Sequence, residues 1–197
     1  MSQASLAYRK NEGQILRGEV PEKYTRFLPH IPGKRILEIG SAEGVLALLL
    51  AKAGKEVTAL ERQPERHQAA QRLRDAWGMD ISGPRFICGD IRDSFDRLKG
   101  VDTLVAVRMI YYLRDDLDTV FAEVAKHVQN VVLCGNRNRA NRWRQGVPDE
   151  PDGPHNKFAS REGMKLLLAN HGYKIVTEIT EGDEIVVGKK CFGSTLG

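Results

Sequence analysis

The 197 residues carry 30 Lys and Arg against 26 Asp and Glu, a formal net charge of +4, with 41% apolar content. That length suits one ordinary globular domain with a real core, and so mild a basic balance does not by itself make a nucleic-acid binder. The longest fully apolar run, Val45 to Ala51, is far too short to span a bilayer.

Three scattered cysteines, Cys88, Cys134 and Cys191, lack metal-ligand spacing and point to a reducing compartment. The opening MSQASLAYRKNEG has no apolar signal core. A soluble cytoplasmic protein with no metal site is the expectation.

Residues 1–34 are polar with scattered apolar positions (Leu6, Ile15, Leu16, Val20, Phe27, Leu28) and predict a helical cover of one or two helices before Pro29. The remainder, 35–197, predicts the main domain. Arg35–Ile39 reads as a strand and Val45–Lys52 as a helix apolar on most sides, ended near Gly54. Glu56–Glu61 is a strand, and Pro64–Trp77 a helix with proline in its first turn and Gly78 just past its end. Arg85–Cys88 is a strand, Ser94–Leu98 a helical turn and Val101–Val107 another strand. Asp115–Val128 is an amphipathic helix with acids in its first turn, and Asn130–Cys134 a fifth strand.

Strands alternating with helices imply right-handed βαβ units and a mostly parallel sheet covered on both faces. The pattern changes after Gly135. Residues 136–158 are polar, with Arg137, Arg139, Arg142 and Arg144 close together, and read as a long loop: a lid, a binding loop or a disordered segment. A helix over Ser160–Asn170 follows, with Ser160 as N-cap and Gly172 as stop. Tyr173–Thr180 and Glu184–Lys189 then form an antiparallel hairpin about the turn EGD. The fold class is α/β, a doubly wound seven-stranded, mostly parallel sheet with an antiparallel C-terminal hairpin strand.

The stretch RILEIGSAEG (35–44) leaves a strand through glycines and small side chains and enters an apolar helix at once. Either the turn is merely tight, or a ligand lies against its backbone. Open α/β sheets bind ligands beyond the carboxyl ends of their strands. Glu61 ends the second strand 21 residues after Gly40, where a carboxylate can accept both ribose hydroxyls of an adenosine. Asp90 closes the third strand in CGDI. Glu38, Glu61 and Asp90 thus end three successive strands, which suggests a polar crescent around one ligand. A dinucleotide fingerprint needs glycine at three places that here hold Gly40, Ala42 and Val45. Glu43 at the helix start would also repel a pyrophosphate. An adenosine without a phosphate chain fits better.

Over residues 24–190 the sequence resembles the class I S-adenosylmethionine-dependent methyltransferases. EIGSAEG (38–44) is similar to their first motif, E/D-x-G-x-G-x-G. ALER (59–62) is similar to the second-strand acid, CGDI (88–91) to the third motif and VAVRMIYYL (105–113) to the fourth-strand segment. The resemblance implies a Rossmann-like methyltransferase fold and S-adenosyl-L-methionine as cofactor. It implies that Glu38 orients the loop and the cofactor's amino group, and that Gly40, Ser41, Ala42 and Gly44 line it. Glu61 would hold the ribose and Arg62 would cover the adenine. Asp90 and Ile91 would read the adenine, and Arg108 would lie beside the methionine part. Ala42 departs from the pattern, standing where the family has its middle glycine.

The acceptor is less legible. Tyr111 and Tyr112 follow the fourth strand, as a candidate base and a substrate contact or as apolar packing at the next helix. His155 is the one histidine expected to face the site, either as a catalytic base or as an ordinary solvated loop residue. Arg137 and Arg139 could clamp a carboxylate or phosphate bidentately, or sit solvated near Asp149, Glu150 and Asp152. Trp143 could stack on the acceptor or pin the loop. Tyr8, Arg9, Tyr24 and Arg26 could cover the cofactor. A small-molecule or glycan acceptor is expected ahead of RNA or DNA. A non-catalytic S-adenosylmethionine-binding scaffold and a dehydrogenase are the other readings.

Overall fold

The computed structural model describes residues 10–79 and 83–190. Leu6, Tyr8, Arg9 and Cys191 lie outside the described residues. Two short helices, α1 (Glu12–Leu16) and α2 (Glu22–Thr25), precede β1 (Arg35–Ile39), α3 (Val45–Lys52), β2 (Glu56–Glu61), α4 (Pro64–Ala76), β3 (Arg85–Cys88) and β4 (Thr103–Val107). Then come α5 (Leu117–His127), β5 (Asn130–Cys134), α6 (Arg137–Arg144), α7 (Arg161–Asn170), β6 (Tyr173–Ile179) and β7 (Ile185–Lys190). The strands form one seven-stranded sheet in the order β3-β2-β1-β4-β5-β7-β6. β1 pairs with β2 and β2 with β3 in parallel, whereas β7 pairs antiparallel with both β5 and β6. This is the expected α/β, Rossmann-like sheet with its antiparallel C-terminal hairpin.

The chain forms two compact units, one up to Val105 and one from Ala106. In the first, α3 buries Val45, Leu46, Ala47, Leu48 and Leu50, so it is apolar nearly all round because protein covers it nearly all round. Ile15 of α1 packs with Val45, Leu48 and Leu73, flanked by Tyr24, Trp77 and Phe86. Trp77 Nε1 donates to the Ile15 carbonyl at 2.7 Å, giving the half-buried indole a polar partner. Before β1, Asp102 accepts from the backbone N–H groups of Lys34 (2.9 Å) and Arg35 (2.8 Å) and from the Arg35 guanidinium (2.8 Å).

In the second unit, α5 buries Leu117, Val120, Phe121 and Val124, one side of an amphipathic helix. β5 is buried along its whole length. Residues 136–158 are not one loop, as their polarity suggested. Asn136 caps α6, its side chain accepting from the Arg139 N–H at 3.3 Å, and a 3-10 turn covers Asn156–Ala159. The helix escapes pattern reading because only Ala140 of its eight residues is buried, so it has no apolar stripe. Arginine and alanine are good helix formers, and Asn is a strong N-cap; that was the available signal. Gly135 precedes it because a Cβ there would lie 2.1 Å from the Ala159 carbonyl oxygen.

Candidate functional site

The first unit carries the glycine turn. Gly40, Ala42 and Gly44 all adopt left-handed backbone, with φ of 66°, 51° and 72°. Glycine takes this conformation freely, and alanine does so at a cost. At Gly44 there is a second reason. A Cβ would lie 2.5 Å from Phe86 Cε1 and 2.9 Å from Ala70 Cβ, so packing alone requires glycine there. Ala42 is held by Glu61, whose Oε2 accepts the Ala42 N–H at 2.8 Å. Glu61 Oε1 accepts the Gln63 N–H at 2.9 Å. The second-strand acid, only 5% exposed, therefore braces the turn itself. Each carboxylate oxygen keeps a further acceptor direction.

Glu38 lies two residues before Gly40 and is 3% exposed. Burial strips water from its carboxyl, and the nearby Glu61 charge adds repulsion; together they push it up to about 8, against a smaller opposing effect of the Ala47 backbone N–H. Glu38 therefore holds a proton at neutral pH in this state. Among the described residues, its Oε2 and the Ser41 hydroxyl are buried with no hydrogen-bond partner. Buried polar atoms are nearly always paired. Two orphans on one turn fit a ligand bearing N–H or O–H groups, and the ammonium of an amino-acid moiety meets that need.

Asp90 follows β3, accepting from the Arg92 N–H at 3.1 Å and pairing with its guanidinium at 2.7 Å. The Arg92 side chain holds the Asp90 carboxyl below its usual range, with the Arg62 charge adding to the effect. Ile91 is buried and Arg62 exposed. The Gly89 N–H donates to the Glu61 carbonyl at 3.0 Å, joining the ends of β2 and β3. The structure thus brings Glu38, Ser41, Ala42 and Glu61 together around one turn, with Asp90 at the end of β3.

The second unit holds the remaining candidates. Arg108 has φ 55°, and its Nε donates to Asp183 Oδ2 at 2.7 Å. Asp183 also accepts the Arg137 N–H at 3.2 Å, so the hairpin turn ties Arg108 to the start of α6. Tyr111 is 1% exposed, and the Asn136 side chain lies near its hydroxyl. Burial pushes its phenol up to about 12. A phenol held there keeps its proton at neutral pH, which suits a hydrogen-bond donor rather than the base expected of Tyr111. Tyr112, by contrast, is 46% exposed. The two rings lie 4.8 Å apart, centre to centre. Arg139 reaches the Tyr112 hydroxyl at 3.3 Å and Asn156 Oδ1 at 3.4 Å.

The His155 N–H donates to the Tyr111 carbonyl at 2.9 Å, and its Nε2 lies 3.9 Å from Asp115 Oδ1. Arg137 is exposed on α6 and Trp143 half-buried. The sequence reading missed Asn136, Asn156 and Asp183. All three are short polar residues beside turns, the positions where such residues cap or brace backbone, and that was their only signal.

No described helix is long and apolar enough to cross a membrane. A family model described as a methyltransferase domain matches residues 13–178. No curated protein matches the sequence. Among solved structures, magnesium protoporphyrin IX methyltransferase (ChlM) from Synechocystis PCC 6803 with bound S-adenosylhomocysteine superposes at a TM-score of 0.64 and 14% identity, covering 97% of this chain and 90% of that one. An S-adenosylmethionine-dependent methyltransferase from Clostridium acetobutylicum ATCC 824 gives 0.63 at 13% identity, covering 93% and 99%. The N-terminal domain of EvdMO1 with S-adenosylhomocysteine bound gives 0.60 at 19% identity, covering 86% and 80%. At these identities the likeness is one of fold.

Proposed function

This chain belongs to the S-adenosylmethionine-dependent methyltransferases, and from that premise we propose that it moves a methyl group to an oxygen or nitrogen of a small molecule or glycan. The observation that carries the cofactor half of this reading is the pair of buried orphans, Glu38 Oε2 and Ser41 Oγ, on the glycine turn. The acceptor class is supported by similar folds: one is a magnesium protoporphyrin IX methyltransferase, and EvdMO1's N-terminal domain was solved in the presence of D-fucose.

In this reading Glu38 and Ser41 take the cofactor's amino group, and the backbone of Gly40, Ala42 and Gly44 lies against it. Glu61 accepts a ribose hydroxyl through its remaining acceptor directions while still bracing Ala42. Asp90 and the Ile91 N–H receive the adenine, and Arg62 covers it. Arg108 is steadied by Asp183. Bound there, the cofactor supplies a methyl that is already electrophilic on its sulfonium. The chain's own task is then placement of the acceptor, an effect worth up to about 7–11 kcal/mol in favourable cases. Tyr112, Arg137, Arg139 and Trp143 contact the acceptor. Tyr111 donates a hydrogen bond, and His155 takes the acceptor's proton.

Calorimetric titration with S-adenosylhomocysteine tests the cofactor site. Asp90→Ala is expected to weaken binding by about 1–3 kcal/mol, the usual loss of a charged hydrogen-bond acceptor. Unchanged affinity in a folded Asp90→Ala variant refutes the assignment. An acceptor screen with methyl-labelled cofactor then tests the transfer itself.

A further inference from the structure

The four arginines of α6 do not share one environment. Arg144 donates to Glu162 at 2.7 Å and to Glu184 at 2.8 Å, so two carboxylates neutralise it. Arg137 and Arg142 are exposed to water. Arg139 is partly buried, yet among the described residues it has no carboxylate within the 4.0 Å of an ion pair. Both of its side-chain bonds go to neutral oxygens and are long: 3.3 Å to the Tyr112 hydroxyl and 3.4 Å to Asn156 Oδ1.

The guanidinium carbon lies 5.4 Å from the centre of the Tyr111 ring and 5.5 Å from that of Tyr112. Aromatic faces attract a cation, but they remove its water without supplying an anion. A guanidinium has five N–H donors in a rigid fork, and two are spoken for here. Tyr112, at 46% exposure, keeps the cluster open to solvent. The backbone beneath Arg139 is fixed by the Asn136 cap, and Asn136 also lies near the Tyr111 hydroxyl.

We propose that Arg139 is an anion anchor: the molecule recognised here is a small, planar acid whose carboxylate or phosphate docks on the Arg139 fork with its body along the Tyr112 ring. A carboxylate and a phosphate both match the fork bidentately. The anion site stands on this geometry alone; only its assignment to the methyl acceptor rests on the function proposed above.

The experiment titrates the full chain with benzoate, phenyl phosphate and the neutral benzamide, following Tyr and Trp resonances by NMR, with and without saturating S-adenosylhomocysteine. At least one anion is expected to bind about tenfold or more tighter than benzamide. Whichever anion binds tighter identifies the headgroup. Arg139→Gln abolishes that preference and leaves weak benzamide binding in place, whereas Arg139→Lys keeps part of it and Arg142→Gln, at an exposed position of the same helix, all of it. Equal binding of benzoate, phenyl phosphate and benzamide overturns the proposal. So does an anion preference that survives Arg139→Gln, or wild-type chain that binds neither anion. The S-adenosylhomocysteine titration reports separately on the cofactor reading, so the two can fail independently.

Discussion

Glu38→Gln tests the electrostatics of the glycine turn most directly. Burial and the Glu61 charge raise Glu38 from an ordinary 4.5 to about 8. A carboxyl whose folded pKa lies above its unfolded one binds more protons folded than unfolded between the two values. Its stabilising proton is fully retained below about 4.5, and stability is lost as pH rises towards 8. The slope is about 1.4 kcal/mol per pH unit inside that window. Glutamine resembles the protonated acid and does not titrate, so the variant lacks this slope. Between pH 5.5 and 7.5 its stability is therefore expected to gain on wild type by about 2–3 kcal/mol. Urea unfolding at a series of pH values, read by tryptophan fluorescence, measures the gap. Parallel stability curves for the two proteins over that range refute the argument, because they mean Glu38 is ionised in the folded state. A second reading comes from calorimetry in buffers of different ionisation enthalpy. Near pH 6.5 wild type is expected to release up to about one proton per cofactor bound, as a cationic ligand converts Glu38 to carboxylate, and Glu38→Gln none.

Other consequences are simpler. Ala42→Gly removes left-handed strain at φ 51°, which outweighs the added freedom of the unfolded chain, and is expected to stabilise by about 0.5–1 kcal/mol; a lower urea midpoint contradicts this. Gly44→Ala drives a methyl into Phe86 and is expected to cost about 3 kcal/mol or more, with partial recovery in the Gly44→Ala, Phe86→Leu double variant; the same cost in both backgrounds would show that the clash is not the cause. Asp102→Asn leaves the Lys34 and Arg35 N–H groups with a weaker acceptor and is expected to cost about 1–2 kcal/mol at neutral pH. Arg35 holds the Asp102 carboxyl well below the usual carboxylate range. The Asp102 contribution is thus fully present above that range and lost as pH falls below it towards the depressed folded value, so the penalty should shrink in strong acid; a constant penalty down to the acid unfolding transition argues otherwise.

The order of elements was legible because each carries its own period. Strand β1, helix α3 and strand β2 fall where the spacing of apolar residues puts them, and Ser160 caps α7 as its type suggests, accepting the Gly163 N–H at 3.1 Å. Helix α6 was not legible, since a stretch with one buried residue has no stripe for pattern reading to find. The acids at 38, 61 and 90 could be placed at strand ends, but their states could not be read. Nothing local distinguishes Glu38, which keeps its proton, from Asp90, which Arg92 holds ionised. Tyr111 and Tyr112 are adjacent and identical in type, yet one is sealed and the other open.

By itself the chain of residues determined the alternation of strand and helix, the small-residue turn after β1 and the acids that close each strand. These depend on neighbours within one or two turns, and backbone sterics and apolar spacing act at that range. Tertiary structure alone decided which arginine of α6 gains carboxylate partners and which glutamate is protonated. Arg144 is neutralised by Glu184 and Arg108 by Asp183, partners separated by 40 and 75 positions. Charge pairing and desolvation act through space, and only the folded chain sets those distances.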